Sequence, residues 1–133
     1  MTEHRLERTG KPALVFTGGL LAESSGKWVS GKVQNRWHDL ALYKTESGKY
    51  VAHVEYTTHW QGELGYSEAW VIDDPVDVPT EFDSIDPTAH VQGYPKHEQY
   101  REKQASLMGW IEKRYRHQVG ELLAQVIDLD ERV

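Results

Sequence analysis

The chain has 133 residues, the length of one ordinary domain, and a formal net charge of −6. It has no cysteine, which excludes a disulfide framework, a thiol nucleophile, a cysteine zinc site and an iron–sulfur cluster. No apolar run reaches the roughly 18 residues that a membrane-spanning helix needs. Leu, Ile, Val and Phe supply only 29 residues, so the 12 Trp and Tyr side chains must carry much of the core.

Residues 1–12 are dominated by charge and read as a flexible N-terminus. Residues 13–22 (ALVFTGGLLA) read as a first strand, with Gly18 and Gly19 marking a bulge or kink. The same stretch imitates the apolar core of a secretion signal. Glu3 and Glu7 ahead of it and the Gly pair within it oppose that reading, so a cytoplasmic protein is expected. Residues 24–35 read as a loop anchored by Trp28 and Val29. Within it, Gly26 to Val33 imitates a phosphate-binding loop. Val33 stands where that motif needs a magnesium-binding hydroxyl, so the motif is set aside.

From Arg36 to Ile72 the pattern is that of an antiparallel meander. Segments 37–45, 50–60 and 66–72 are rich in β-branched and aromatic residues, and turn signals at residues 46–49 and 62–65 separate them. Pairing Thr45 with Tyr50 and Gln61 with Tyr66 collects Trp37, Ala41, Tyr43, Val54, Tyr56, Trp60, Ala69 and Val71 on one face. Asp39 and Thr58 are polar exceptions there. That face is expected to be the core. The other face collects His38, Leu40, Leu42, His53, Glu55, Thr57, His59, Glu68, Trp70 and Ile72.

Residues 73–95 hold four of the five prolines and read as an acidic, Pro-rich loop, with a helical turn after Asp86-Pro87. Residues 96–129 turn helical, with apolar positions 100, 107, 108, 111, 115, 119, 122, 123 and 126 on one stripe. Gly109 and Gly120 are places where this helix would kink or split. The expected fold is a single α+β domain. It has an antiparallel β-meander of three to four strands (residues 13–72) packed against a long C-terminal helix.

Charge is segregated along the chain. Residues 1–49 carry eight Lys and Arg against five acids, residues 96–133 carry seven of each, and residues 50–95 carry nine acids with no Lys or Arg. Such a segment favours cationic partners and repels phosphate backbones. The leading expectation is a non-enzymatic binding module, an inhibitor of a basic partner protein, with no cofactor, no metal and no direct contact with nucleic acid or membrane. Its expected surface is Asp73, Asp74, Asp77, Glu81, Asp83 and Asp86, with Tyr66, Trp70, Phe82 and Tyr94 as aromatic anchors. The alternative is a small metal-dependent or acid–base enzyme. His38, Glu55, His59 and Glu68 would then converge on the open sheet face, because imidazole and carboxylate pairs bind divalent ions or move protons near neutral pH. The Asp-rich run at residues 73–77 lacks the glycine and closing glutamate of a calcium loop. His117 and Glu121 have the spacing of a helical ion pair and nothing more.

Overall fold

The computed structural model describes residues 2–133. The fold is α+β, with five antiparallel strands in chain order: β1 (Thr2–Arg8), β2 (Lys11–Ser25), β3 (Arg36–Thr45), β4 (Tyr50–Thr58) and β5 (Tyr66–Ile72). The strand count is therefore five, not three to four. The extra strand is β1, where the sequence had offered only a flexible tail. Its single buried apolar side chain, Leu6, alternates with exposed Glu3, Arg5 and Glu7, so it carries almost no apolar signal. A charged, exposed flank is what an edge strand needs to resist pairing with other chains.

The sheet curls until its two edges meet. The Thr9 amide donates to the Ser67 carbonyl (2.7 Å), and the Ser67 amide donates to the Thr9 hydroxyl (2.8 Å). Leu6 of β1 packs with Val51 and Ala69, flanked by Leu14, Phe16 and Tyr43. Strands β1 and β4 are not neighbours in the sheet, so this cluster marks the concave inner side.

A bulge in β2 decides which of its residues face inward. The pairing with β3 skips a residue between Leu20 and Ala22. An extra residue in a strand flips every side chain beyond it to the other face. Leu14 and Phe16 accordingly join the inner cluster, whereas Ala22 joins the outer core. The bulge falls just beyond Gly18 and Gly19. Gly18 has a different reason to be glycine, since a Cβ there would strike the Lys44 carbonyl oxygen.

The expected register is wrong by one residue between β3 and β4. Lys44, not Thr45, pairs with Tyr50. Gly48 has φ +88°, and the Thr45 amide donates to the Lys49 carbonyl (2.8 Å), so the hairpin closes through a glycine bulge that takes up the extra residue. Between β4 and β5, Tyr56 rather than Gln61 faces Tyr66, because residues 59–65 form a long connection instead of a tight turn. The outer face then carries His38, Leu40, Leu42, Ala52, Val54, Tyr56, Glu68, Trp70 and Ile72. This face, not the one with Trp37, Ala41 and Tyr43, is covered by the C-terminal helix. Trp60 lies in the connection and is exposed.

The connection is held by a buried ion pair. Arg36 Nε and Nη2 donate to the two Glu63 carboxylate oxygens at 2.8 and 2.9 Å, and the Tyr56 hydroxyl also donates to Glu63. Burial alone would raise the Glu63 carboxyl. The Arg36 and Tyr56 hydrogen bonds outweigh it and hold the group down at about 2.

Between β2 and β3, where a loop was expected, a π-helical turn (Lys27–Gly31) runs into a one-turn α1 (Lys32–Gln34). A Cβ on Gly31 would sit 3.1 Å from the Trp37 ring, so this insertion lies directly on Trp37. The Pro-rich segment contains a helix, α2 (Val78–Asp83), which starts earlier than the expected turn after Pro87 because Asp74 caps the preceding 3-10 turn (Val76 amide to Oδ1, 3.0 Å). Val78 and Phe82 plug the outer core. A 3-10 turn (Glu98–Tyr100) leads into α3 (Arg101–Ala124), which continues unbroken through Gly109 and Gly120. Leu107, Ile111, Tyr115, Val119 and Leu122 of the expected stripe are buried. Packing of this stripe outweighs the roughly 1 kcal/mol that each helical glycine costs. Among the described residues, no helix is long and apolar enough to cross a membrane.

Candidate functional site

Only half of the inner side is filled. Beyond the Leu6, Val51 and Ala69 cluster, the curl opens into a cavity of about 750 Å³. Its lining includes Glu7, Glu23, Asp39 and Glu55, with Arg5, Tyr43, His53 and Ser67. The register explains why these meet. One row across the sheet reads Ser25, Asp39, Glu55 and Ser67, and the adjoining row reads Glu23, Ala41, His53 and Ala69. Asp39 and Glu55 are direct partners on β3 and β4, where opposed Cβ atoms lie about 4.5–5.5 Å apart and like charges destabilise the pair.

The hydrogen bonds around this pair are unequal. Asp39 Oδ2 accepts from Trp37 Nε1 at 3.2 Å, whereas Asp39 Oδ1 is buried without a donor. The Ser67 hydroxyl donates to the Glu7 carbonyl at 2.8 Å, so it must accept from His53 Nε2 at 3.1 Å. That arrangement puts the imidazole proton on Nε2, so Ser67 and His53 do not have the geometry of a serine activated by a base. His53 Nε2 also lies 3.5 Å from Glu55 Oε1. Burial lowers the His53 pKa despite the opposing pull of Glu55 and Asp39. Burial, with Glu23 and Glu55 nearby, raises the Tyr43 phenol. The only guanidinium in the lining, Arg5, lies 3.5 Å from Glu7 at the exposed rim.

The four residues of the metal or acid–base alternative are not brought together. His38 is buried on the outer face beside Tyr56 and Tyr115. Glu68 shares that face, Glu55 points to the inner side, and His59 lies in the connection, edge-on to Trp37. One register slip separates Glu55 from His38, because it turns β4 over relative to β3. Among the described residues, no three His or carboxylate groups converge as metal ligands. Sequence reasoning left Asp39, Tyr43, Glu23 and Ser67 out of the site. Asp39 did leave a signal, as a carboxylate alternating with apolar residues in a strand.

Of the acidic segment, Asp73, Asp74, Asp77, Asp83 and Asp86 are exposed and Glu81 is half-buried. Asp73 lies 3.2 Å from Lys49 and Asp83 lies 3.0 Å from Arg116. Asp86 accepts from the Thr88 hydroxyl and amide, which lowers its pKa. Of the expected aromatic anchors, Phe82 is fully buried. Trp70 packs against it at 5.9 Å, and Tyr66 lies tilted against His90 at 4.0 Å, so both half-buried rings serve to hold the segment down. Tyr94 is exposed and stacked on Tyr100.

No family model, curated protein or solved structure matches the chain.

Proposed function

We propose that the protein is a binding module rather than an enzyme, taking a partner protein with a basic surface on the acidic segment from Asp73 to Asp86. The supporting observation is where the carboxylates stand. Five of the six are exposed, and among the described residues only Lys49 and Arg116 lie at ion-pair distance from them. None pairs with Arg5, Arg8, Lys27 or Arg36, so of the basic residues in 1–49 only Lys49 draws on the field. Exposed charge of one sign steers the encounter with an oppositely charged surface and is screened within about 10 Å at 0.1 M salt. A phosphate backbone is repelled by the same field. A cytoplasmic setting, compatible with the lack of cysteine, belongs to the same proposal.

The test is association kinetics on immobilised oligolysine across a salt series. The triple variant Asp73→Asn, Asp74→Asn, Asp77→Asn is compared with a charge-matched control, Glu98→Gln, Glu102→Gln, Glu131→Gln. The first triple slows association more than it speeds dissociation. Its folding stability shifts by no more than about 0.5 kcal/mol, since Asn at position 74 keeps the cap acceptor. If the control slows association equally, net charge alone is at work and the proposal fails. Unfolding of the first triple would show that the acids serve the fold.

A further inference from the structure

We propose that the open half of the inner side is a second, separate site, which binds an organic cation: an ammonium or guanidinium group on a short apolar stem. This site goes beyond the acidic segment and does not depend on it. Three independent features of the cavity point to that chemistry.

The first is room with an apolar base. About 750 Å³ lies within the range of small-ligand pockets, and strand curls are filled by side chains unless a cavity is kept. Leu6 and Tyr43 belong both to the lining and to the cluster beneath it, so a stem entering the cavity meets apolar surface at its base.

The second is the direct opposition of Asp39 and Glu55, with Glu23 in the adjoining row. Two carboxylates on directly paired strand positions repel, and a fold with a free choice at either position gains by neutralising one. A bound cation between them removes the repulsion.

The third is the buried Asp39 Oδ1, an anionic acceptor with no donor. No neighbouring donor reaches it, the Ser25 and Tyr43 hydroxyls of the lining included. The Trp37 N–H takes Oδ2, the Ser67 hydroxyl takes the Glu7 carbonyl, and His53 Nε2 serves Ser67 and Glu55. A buried charged acceptor left unmatched is costly, and a ligand N–H is what it lacks.

The same features disfavour other ligands. An anion meets four carboxylates and one guanidinium, itself beside Glu7. A bare metal ion needs three converging ligands within about 2–2.6 Å, and no such group exists among the described residues. A group with several N–H donors spread over a few ångströms reaches carboxylates that do not converge, as a forked guanidinium does.

Such a group is carried by a free alkyl cation or by an arginine or lysine side chain. The experiment titrates isotope-labelled protein, followed by amide chemical shifts, with n-butylguanidinium, n-butylammonium, neutral N-butylurea and the peptide acetyl-Gly-Arg-Gly-amide. Both alkyl cations shift the amides of Ala41, Tyr43 and His53, and the urea does not. The isosteric double variant Asp39→Asn, Glu55→Gln loses affinity by about tenfold or more, as expected for charge-assisted hydrogen bonds. Ala41→Phe, which fills the cavity and leaves every charge in place, also abolishes the shifts. Tighter binding of the peptide than of butylguanidinium assigns the site to a protein side chain, and equal or weaker binding assigns it to a free cation. Three results overturn the proposal: no shift with either cation, an equal shift with the urea, or unchanged affinity in the double variant. If Ala41→Phe disturbs the fold, the double variant alone decides. The Asp73, Asp74 and Asp77 variant binds the cations normally, so failure of the acidic-segment proposal leaves this test intact.

Discussion

The outer and inner faces of the sheet are built from alternate residues of the same strands, yet they satisfy their polar groups by different rules. On the outer face, buried polar atoms find partners over long sequence distances. Gln118 Nε2 donates to the His38 and Ser24 carbonyls at 2.9 and 3.2 Å, and the Tyr115 hydroxyl donates to the Phe82 carbonyl at 2.7 Å. Three atoms of the outer layer stay unpartnered, His38 Nε2 and Trp70 Nε1 on the sheet and Arg114 Nε on α3. The two on the sheet belong to groups that are neutral at pH 7, since burial pushes the His38 imidazole down to about 4. On the inner face, the unpartnered atom belongs to a carboxylate that faces another carboxylate. A neutral orphan costs about 1–3 kcal/mol and a charged one more. On the sheet itself, the outer face is therefore organised for stability, and the inner cavity carries electrostatic strain that a ligand can relieve.

The contrast is sharpened most by removing one member of the buried ion pair. Arg36→Ala leaves Glu63 ionised in a dry site, and the expected loss is about 3–5 kcal/mol by chemical denaturation. A loss below about 1 kcal/mol would mean that water reaches Glu63 freely.

A smaller effect, graded with pH, comes from His38. Its folded pKa is about 4 and its unfolded value 6.5. Between these values the unfolded chain binds the proton that the folded chain refuses, so stability is full above pH 6.5 and falls as pH drops towards 4. At about 1.4 kcal/mol per unit the total is about 3 kcal/mol. Denaturation of the wild type and of His38→Phe across this window checks it. The part of the slope due to His38 disappears in the variant, and an unchanged slope assigns the pH dependence to other groups.

The smallest effect has the opposite sign. Asp39→Asn keeps an acceptor for Trp37 and removes the repulsion across β3 and β4, so stability rises by a few tenths to about 1 kcal/mol. Thermal melts at low and high salt measure it, with the gain shrinking as salt screens the wild-type pair. A destabilised variant would mean that the charge at Asp39 serves the fold.

Much of this architecture was legible. Spacings of three and four from Leu107 to Val126 announced α3, and the β-branched and aromatic runs announced β3 to β5. Two things were hidden, for different reasons. β1 was hidden because an edge strand with one inward Leu looks like a charged tail. The faces were misassigned because parity depends on single residues: Gly48 takes a left-handed conformation that closes the hairpin one residue early, and the extra residue in β2 flips Glu23 inward. The slips at the two ends of β4 cancel between β3 and β5. His38, Leu40, Leu42, Glu68, Trp70 and Ile72 were thus grouped correctly while Glu55 was placed on the wrong side. The site was lost with that one strand.

The seam between β1 and β5 bears on access to the cavity. It is narrow, formed by Thr9, Ser67 and the Glu7 carbonyl, with Arg8 Nη1 reaching the Ala69 carbonyl at 3.5 Å. Segments held by few bonds open at the low end of the local unfolding range, well before the whole domain does. Ser67 is at once a stitch of this seam and the acceptor of the His53 proton, so the floor of the cavity and its latch share one side chain. Parting β1 from β5 breaks only these few bonds and the Leu6 contact with Val51 and Ala69, and leaves the β1–β2 ladder in place. The curl is thus fastened along one short stitched edge, in the layer opposite the outer core.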